Sequence, residues 1–164
     1  MNVTLNDNEL RIATRIGKLR YWGNRKSGIT DAKIGPQSPE ETDFQGFCAE
    51  MAFCKLFNAY PAFDTGGPDK GGDCKVGGFI VDVKWTKYRS GRLLATQKKI
   101  KAHVDIYALV VGMAPSFSVL GWALKADLID PGTLTDLGHG AGFALSQEQL
   151  YPLDILFEFD NPTG

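Results

Sequence analysis

The sequence has little of what marks secreted, zinc-binding or membrane-spanning proteins. Its 164 residues include only three cysteines and two histidines. The cysteines are odd in number and too widely spaced for a zinc site, so we expect reduced thiols in the core. No run of about 18 apolar residues is present, and the first residues carry acids instead of the apolar segment of a signal peptide. We therefore expect a cytoplasmic protein without a membrane partner.

Motifs of several other enzyme classes are also missing. Neither Gly66-Gly67 nor Gly71-Gly72 follows a strand and leads into a helix with the spacing of a phosphate-binding loop. His103 and His139 stand alone, without a Ser, Cys or second His at a catalytic or metal-binding spacing. Nucleotide-loop and histidine chemistry are thus not indicated.

The charges are distributed unevenly along a chain of ordinary composition. Apolar residues make up 43% and charged residues 23%, which is typical of one globular domain. The net charge is -1, but residues 1–101 hold 17 bases against 11 acids, whereas residues 102–164 hold one base against eight acids. An acidic partner for the first part, such as nucleic acid, therefore remains open.

The hydrophobic pattern predicts a mixed α/β protein. A basic amphipathic helix over 8–22 and a loop to residue 37 form an N-terminal arm, 1–37, ahead of a main domain, 38–164. Ser38 and Pro39 are typical of a helix start, and this helix should run to about residue 58. Further elements are predicted as strands at 73–76, 79–86, 92–96, 104–112 and 117–124, and short helices at 97–103 and 146–150. This order predicts a central mixed β-sheet flanked by helices.

Glu50 is the charged residue of an otherwise apolar helical stretch, Phe44 to Cys54. Phe47 and Cys54 lie three positions before and four after it, so all three share one helix face. Because that face packs on the sheet, an unpaired Glu50 carboxylate would be costly and needs a partner. The alternative is a surface glutamate at the rim of the apolar face.

A second carboxylate pair is predicted at a hairpin. Gly77-Gly78 separates two strand patterns and is typical of a two-residue turn, which places Asp73 opposite Asp82. Opposed like charges destabilise a strand pair, and Mg²⁺ or Mn²⁺ would compensate them because these ions prefer carboxylate oxygens. Lys84 follows two residues after Asp82 on the same face and can stabilise negative charge there. The alternative is a solvent-facing hairpin with scattered charges.

In order and placement, Glu50, Asp73 and Asp82-Val83-Lys84 resemble the PD-(D/E)XK nuclease superfamily over about residues 44–124. The resemblance implies a restriction-endonuclease-like fold with the core order αβββαβ, similar to small phage-encoded nuclease-like proteins. It further implies that Asp73, Asp82, Glu50 and the Val83 carbonyl bind the metal and that Lys84 is the catalytic lysine. A literal Pro68-Asp69 precedes Asp73, so either aspartate is a candidate ligand; the hairpin register favours Asp73.

A run of bases begins at Lys84 and contains no acid up to Lys101. Such a run favours contacts with nucleic-acid phosphates, although a solvated face is the commoner explanation. By resemblance, Gln97 corresponds to a polar active-site residue of some family members. The expected DNA-binding residues are Lys87, Arg89, Arg92, Gln97, Lys98, Lys99 and Lys101. A second basic set, on the N-terminal helix and arm, is either a second clamp or a solvated face: Arg11, Arg15, Lys18, Arg20, Arg25 and Lys26.

The sequence therefore favours a Mg²⁺- or Mn²⁺-dependent nuclease that hydrolyses DNA phosphodiester bonds in a bacterial or phage-infected cell. Two alternatives stay open. One is a non-catalytic nucleic-acid-binding or interaction protein with a nuclease-like fold. The other is a Holliday junction resolvase, which needs a homodimer to cut two strands.

Overall fold

The computed structural model describes residues 1–28, 38–63, 71–138 and 140–160. The predictions that concern Asp69, Pro68 and His139 lie outside these residues. The helices and strands follow one another in the order β1 Asn2–Thr4, α1 Asp7–Lys26, α2 Pro39–Leu56, β2 Cys74–Val76, β3 Phe79–Thr86, β4 Leu93–Thr96, β5 Ile106–Met113, β6 Ser116–Leu124, α3 Lys125–Leu128, β7 Leu134–Asp136, β8 Ala141–Leu145 and α4 Leu153–Asp160. Short 3₁₀ helices span Gln97–Lys101, Pro131–Thr133 and Gln147–Gln149.

The main sheet has five strands in the order β1-β6-β5-β3-β2. It is mixed, because β3 and β5 run parallel whereas the other neighbours are antiparallel. Strand β5 lies in its centre and is buried from Ile106 to Val111, as its continuous apolar run predicts. The mixed α/β class is thus confirmed.

A second, three-stranded sheet has the order β4-β8-β7. The sequence order predicts all strands in one sheet, and for β4 this is wrong. The chain bends sharply after β3, where Gly91 donates a backbone hydrogen bond to Tyr88 and has no room for a side chain beside Thr86. The alternating apolar residues of β4, Leu93 and Ala95, then pack in a cluster with β8 instead of extending the main sheet.

Helix α2 begins where the sequence predicts. The Ser38 side chain accepts a hydrogen bond from the Glu41 backbone N–H at 3.1 Å, and Pro39 occupies the first helical position. The Glu41 carboxylate accepts a hydrogen bond from Gln45. The helix ends at Leu56, within two residues of the predicted end.

Helix α1 is longer than predicted and continues to Lys26. Its buried residues are Ala13 and Gly17, and a Cβ atom on Gly17 would lie 2.9 Å from the Phe44 Cα of α2. Small residues at this spacing therefore let the two helix backbones approach closely. Strand β1 pairs with β6, so the described part of the predicted N-terminal arm joins the sheet and core of the domain.

The two faces of β3 carry different kinds of side chain. Val81 and Val83 are buried in the cluster that includes α2. Asp82 and Lys84 lie on the other face, level with Tyr107 and Leu109 of β5. In the described ranges of the chain, no helix is long and apolar enough to cross a membrane.

Candidate functional site

The β2–β3 hairpin holds the two aspartates that the sequence predicts as neighbours. Gly77 and Gly78 form its turn with φ angles of 55° and 86°, a backbone conformation that favours glycine. Val76 pairs with Phe79 and Cys74 with Val81, which confirms the predicted register. One position before Cys74, the Asp73 backbone N–H donates to the Val81 carbonyl at 2.6 Å. Asp73 therefore lies alongside β3, next to Asp82.

Asp73 is half-buried, and its carboxylate accepts a hydrogen bond from the Val83 backbone N–H at 2.6 Å. Burial raises the pKa of Asp73 well above its usual value, and the charges of Glu50 and Asp82 raise it further. The Lys84 ammonium and the Val83 hydrogen bond oppose this rise in pKa. Glu50 and Asp82 are thus close enough to Asp73 to influence its ionisation.

Asp82 is 3% exposed and contacts two lysines. Its Oδ1 accepts a hydrogen bond from Lys84 Nζ, and its Oδ2 pairs with Lys99 Nζ at 2.7 Å. Lys84 lies on the same face as Asp82, as predicted, and its ammonium lies 5.7 Å from the centre of the Tyr107 ring. Lys99 comes from the 3₁₀ helix that follows β4, so the second sheet brings a further cation to the site.

Glu50 is 7% exposed, and its partner is Arg20 of α1. The guanidinium donates to both carboxylate oxygens, at 2.7 and 2.9 Å, and to the Ala62 carbonyl at 3.0 Å. It also lies 4.6 Å above the centre of the Phe47 ring. Burial raises the pKa of Glu50, and Arg20 opposes that rise. The partner that burial demands for Glu50 is therefore an arginine.

The sequence predicts Arg20 as part of a basic set that is either a second clamp or a solvated helix face, so its place in the site was missed. The signal was present in the spacing of Ala13 and Gly17, the small residues that mark the α1 face packed against α2. Arg20 follows Gly17 by three positions and so continues the same face. A face of small residues that ends in an arginine could have paired α1 with the face of α2 that carries Glu50.

Within the described ranges, three carboxylates and three cations meet at the site. Its carboxylates are Glu50, Asp73 and Asp82, and the cations in contact with them or acting on them are Arg20, Lys84 and Lys99. Among the residues that the structure describes, no three acid, cysteine or histidine side chains are grouped to hold a metal ion. The carboxylates of Asp73 and Asp82 and the carbonyl of Val83 are nevertheless a donor set that suits Mg²⁺, an ion that keeps several of its waters when bound. The mutual repulsion that raises the pKa of Asp73 is the property of this donor set that a divalent cation would relieve.

The remaining predicted nucleic-acid-binding residues lie in two segments. The connection between β3 and β4 carries Lys87, Arg89 and Arg92; the 3₁₀ helix carries Gln97, Lys98 and Lys101. All except Lys87, which is half-buried, are exposed to solvent. Among the described interactions, Lys99 is the one predicted phosphate-contacting residue that forms an ion pair with a carboxylate of the site, that of Asp82.

Comparison with known proteins assigns the chain to one family. No curated protein and no solved structure is significantly similar to the chain. The model of a family described as "Family of unknown function (DUF5843)" matches residues 1–116. The matched region contains Arg20, Glu50, Asp73, Asp82 and Lys84. The chain therefore belongs to the family DUF5843.

Proposed function

We propose that this protein is a Mg²⁺- or Mn²⁺-dependent nuclease that hydrolyses DNA phosphodiester bonds. The observation that carries the proposal is the convergence of Asp73, Asp82 and Lys84 on one hairpin, with Glu50 within electrostatic reach. The pKa of Asp73 is raised, and perturbed carboxylates next to a lysine are characteristic of catalytic sites. Asp73 lies beside the buried Asp82, and like charges opposed on a strand pair are destabilising unless a cation compensates them.

The residues divide the chemistry as follows. Asp73, Asp82 and the Val83 carbonyl would hold the metal ion, with Glu50 as a direct or water-mediated ligand. When bound, the ion supplies positive charge that neutralises the phosphodiester and lowers the pKa of water. The Lys84 ammonium donates hydrogen bonds toward the phosphate oxygens and stabilises the charge that develops on them. Arg20 holds Glu50 at a fixed orientation through two parallel hydrogen bonds.

The order of α2, the β2–β3 hairpin and β5 supports a restriction-endonuclease-like fold as part of this proposal. Strand β4, the third strand of the core order αβββαβ, lies in the second sheet instead, and the helix that follows it is a short 3₁₀ helix. Helix α2 is followed by the β2–β3 hairpin, and β5 then returns to pair in parallel with β3. The exposed bases around the β3–β4 connection and the 3₁₀ helix supply positive charge for the DNA backbone. A cytoplasmic location in a bacterial or phage-infected cell belongs to the same proposal.

Cleavage assays with matched variants test the proposed function. Labelled single-stranded, duplex and branched DNA are incubated with the protein and Mg²⁺, Mn²⁺ or EDTA. We expect divalent-dependent cleavage that is lost in Asp82→Asn and Lys84→Ala. Lys55→Ala is the control, because Lys55 is also ion-paired to a carboxylate, that of Glu9. Absence of cleavage in every arm, or equal cleavage by all variants, contradicts the proposal.

A second candidate is a non-catalytic nucleic-acid-binding protein. The observation in its favour is that both Asp82 oxygens are already occupied by lysine ammonium groups. Such a closed ion-pair network needs no metal. This candidate predicts salt-sensitive DNA binding that is insensitive to EDTA and persists in Asp82→Asn. Solution mass and a comparison of branched with linear DNA test the remaining possibility, a dimeric junction resolvase.

A further inference from the structure

A cavity of about 410 Å³ adjoins the carboxylate site. Asp73 lies in its wall, so the cavity and the proposed reaction centre share a residue. Its volume is in the range of small-molecule pockets in proteins. Among the described residues, the lining includes Tyr60, Ala62, Gly71, Gly72, Asp73 and Lys75.

Hydrogen bonds fix one wall of this cavity to the site. The Ala62 backbone N–H donates to the Asp73 carbonyl at 2.6 Å, and the Ala62 carbonyl accepts from Arg20. The segment that carries Tyr60 is therefore attached to both the Asp73 strand and the Arg20–Glu50 pair. This attachment fixes the backbone beside Tyr60 relative to the carboxylates.

The chemistry of the lining suits a nucleobase with its phosphate. Tyr60 is 86% exposed and offers a ring face for stacking. Gly71 and Gly72, with φ angles of 107° and 78°, contribute backbone to the lining. Lys75 is exposed at the cavity and supplies a positive charge.

We infer that this cavity binds the unpaired base of a nucleotide next to the scissile phosphodiester, with its ring stacked on Tyr60. This inference rests on the proposed nuclease function for the position of the reacting phosphate. A base within a duplex is held in the stack and reaches a concave cavity only by flipping out, which costs unpairing energy. The preferred substrate class is therefore single-stranded DNA, or a strand that is unpaired at the cleaved bond.

Binding and cleavage are measured separately to test the inference. The full-length Asp82→Asn variant binds oligonucleotides that carry the fluorescent base 2-aminopurine, as single strands and as duplexes. Tyr60→Ala and Tyr60→Phe are each added to this background, and Trp22→Ala is the matched control. Trp22 is another exposed ring, at 66%, and it does not line the cavity.

We expect stacking to quench the fluorescence of a single-stranded probe. Tyr60→Ala should lose this quenching and on the order of 5- to 100-fold in affinity, the range that corresponds to loss of one base–aromatic stack. Tyr60→Phe should keep both the quenching and the affinity, and Trp22→Ala should behave like the Asp82→Asn variant without a second substitution. Wild-type protein should cleave single strands faster than duplex.

Different outcomes separate this inference from the proposed function. Cleavage that proceeds equally on single strands and duplex, and is unchanged in Tyr60→Ala, overturns the inference but leaves the nuclease proposal intact. Tyr60-dependent quenching without cleavage supports the base site and contradicts the nuclease proposal. Loss of affinity in Trp22→Ala but not in Tyr60→Ala, or no binding of any strand, overturns the inference.

Discussion

Replacing Arg20 by alanine removes the cation that neutralises Glu50. In the folded protein the Arg20 side chain is 16% exposed and the Glu50 side chain 10% exposed, so water replaces little of the lost interaction. The substitution also removes the hydrogen bond to the Ala62 carbonyl and the contact with the Phe47 ring. The remaining carboxylate is then buried without a partner.

The size of the effect follows from this burial. Removing one partner of a buried ion pair destabilises proteins by about 3–5 kcal/mol, because the other charge is left uncompensated. We expect Arg20→Ala to lower the free energy of unfolding by about 3 kcal/mol or more near neutral pH. Replacing both residues together, Arg20→Met with Glu50→Gln, should restore most of the loss, because neither residue of the pair is then charged.

The loss of unfolding free energy in Arg20→Ala should grow as the pH rises. Burial raises the pKa of Glu50, and removal of Arg20 raises it further because Arg20 opposes that rise. A carboxyl whose pKa is higher in the folded state binds protons preferentially there, so its contribution to stability is present at low pH and lost as pH rises through that pKa. The defect of Arg20→Ala should therefore be larger at about pH 8 than at about pH 5.

Urea denaturation at the two pH values measures this effect, with the slope m as a check on two-state unfolding. Lys55→Ala is the control, since the Lys55–Glu9 pair is exposed and should contribute about 0.2–1 kcal/mol. A loss below about 1 kcal/mol in Arg20→Ala, or an equal loss at both pH values, would refute the view that Glu50 depends on Arg20.

Three further predictions concern packing, the site and the thiols. Gly17→Ala should lower the free energy of unfolding by about 1–3 kcal/mol because its Cβ would meet the Phe44 backbone. Gly46→Ala meets nothing within 4 Å and should stabilise α2 by up to about 1 kcal/mol. Thermal denaturation of both variants measures the contrast, and equal effects would contradict it. Asp73→Asn should raise the free energy of unfolding by about 1 kcal/mol at pH 8, and by less at pH 5, because burial and neighbouring carboxylates raise the pKa of Asp73. The same variant should lose cleavage. A destabilised variant would argue against charge repulsion at this position. The three free cysteines are buried, and burial raises the pKa of Cys48 to about 12. A thiol reagent should therefore label them only after denaturation. Rapid labelling of the native protein would contradict this burial.

The elements that sequence alone could predict carry local signals. Gly77-Gly78 specifies its turn through positive φ angles, and that turn specifies the register that brings Asp73 to Asp82. Ser38 and Pro39 specify the start of α2 in the same local way. The expectation of buried free cysteines is also confirmed.

The parts that sequence reasoning missed depend on contacts between distant segments. Strand β4 pairs with β8, which lies about fifty residues later and is rich in small residues, so its pairing partner has no local signature. The Arg20–Glu50 pair joins residues 30 positions apart, and the Lys99–Asp82 pair joins the 3₁₀ helix to β3. A single charged residue in a sequence does not reveal which of several opposite charges it meets in the fold.

The most direct test of the central claim is the rate of DNA cleavage as a function of Mg²⁺ concentration, measured for wild type and Asp82→Asn at matched folded fractions. We expect a saturable, EDTA-sensitive rate in wild type and a rate at least about 10²-fold lower in Asp82→Asn, the scale of losing one group that stabilises the transition state. A rate that does not depend on Mg²⁺, or that is the same in Asp82→Asn, would contradict the assignment of Asp73, Asp82 and Lys84 as a nuclease site.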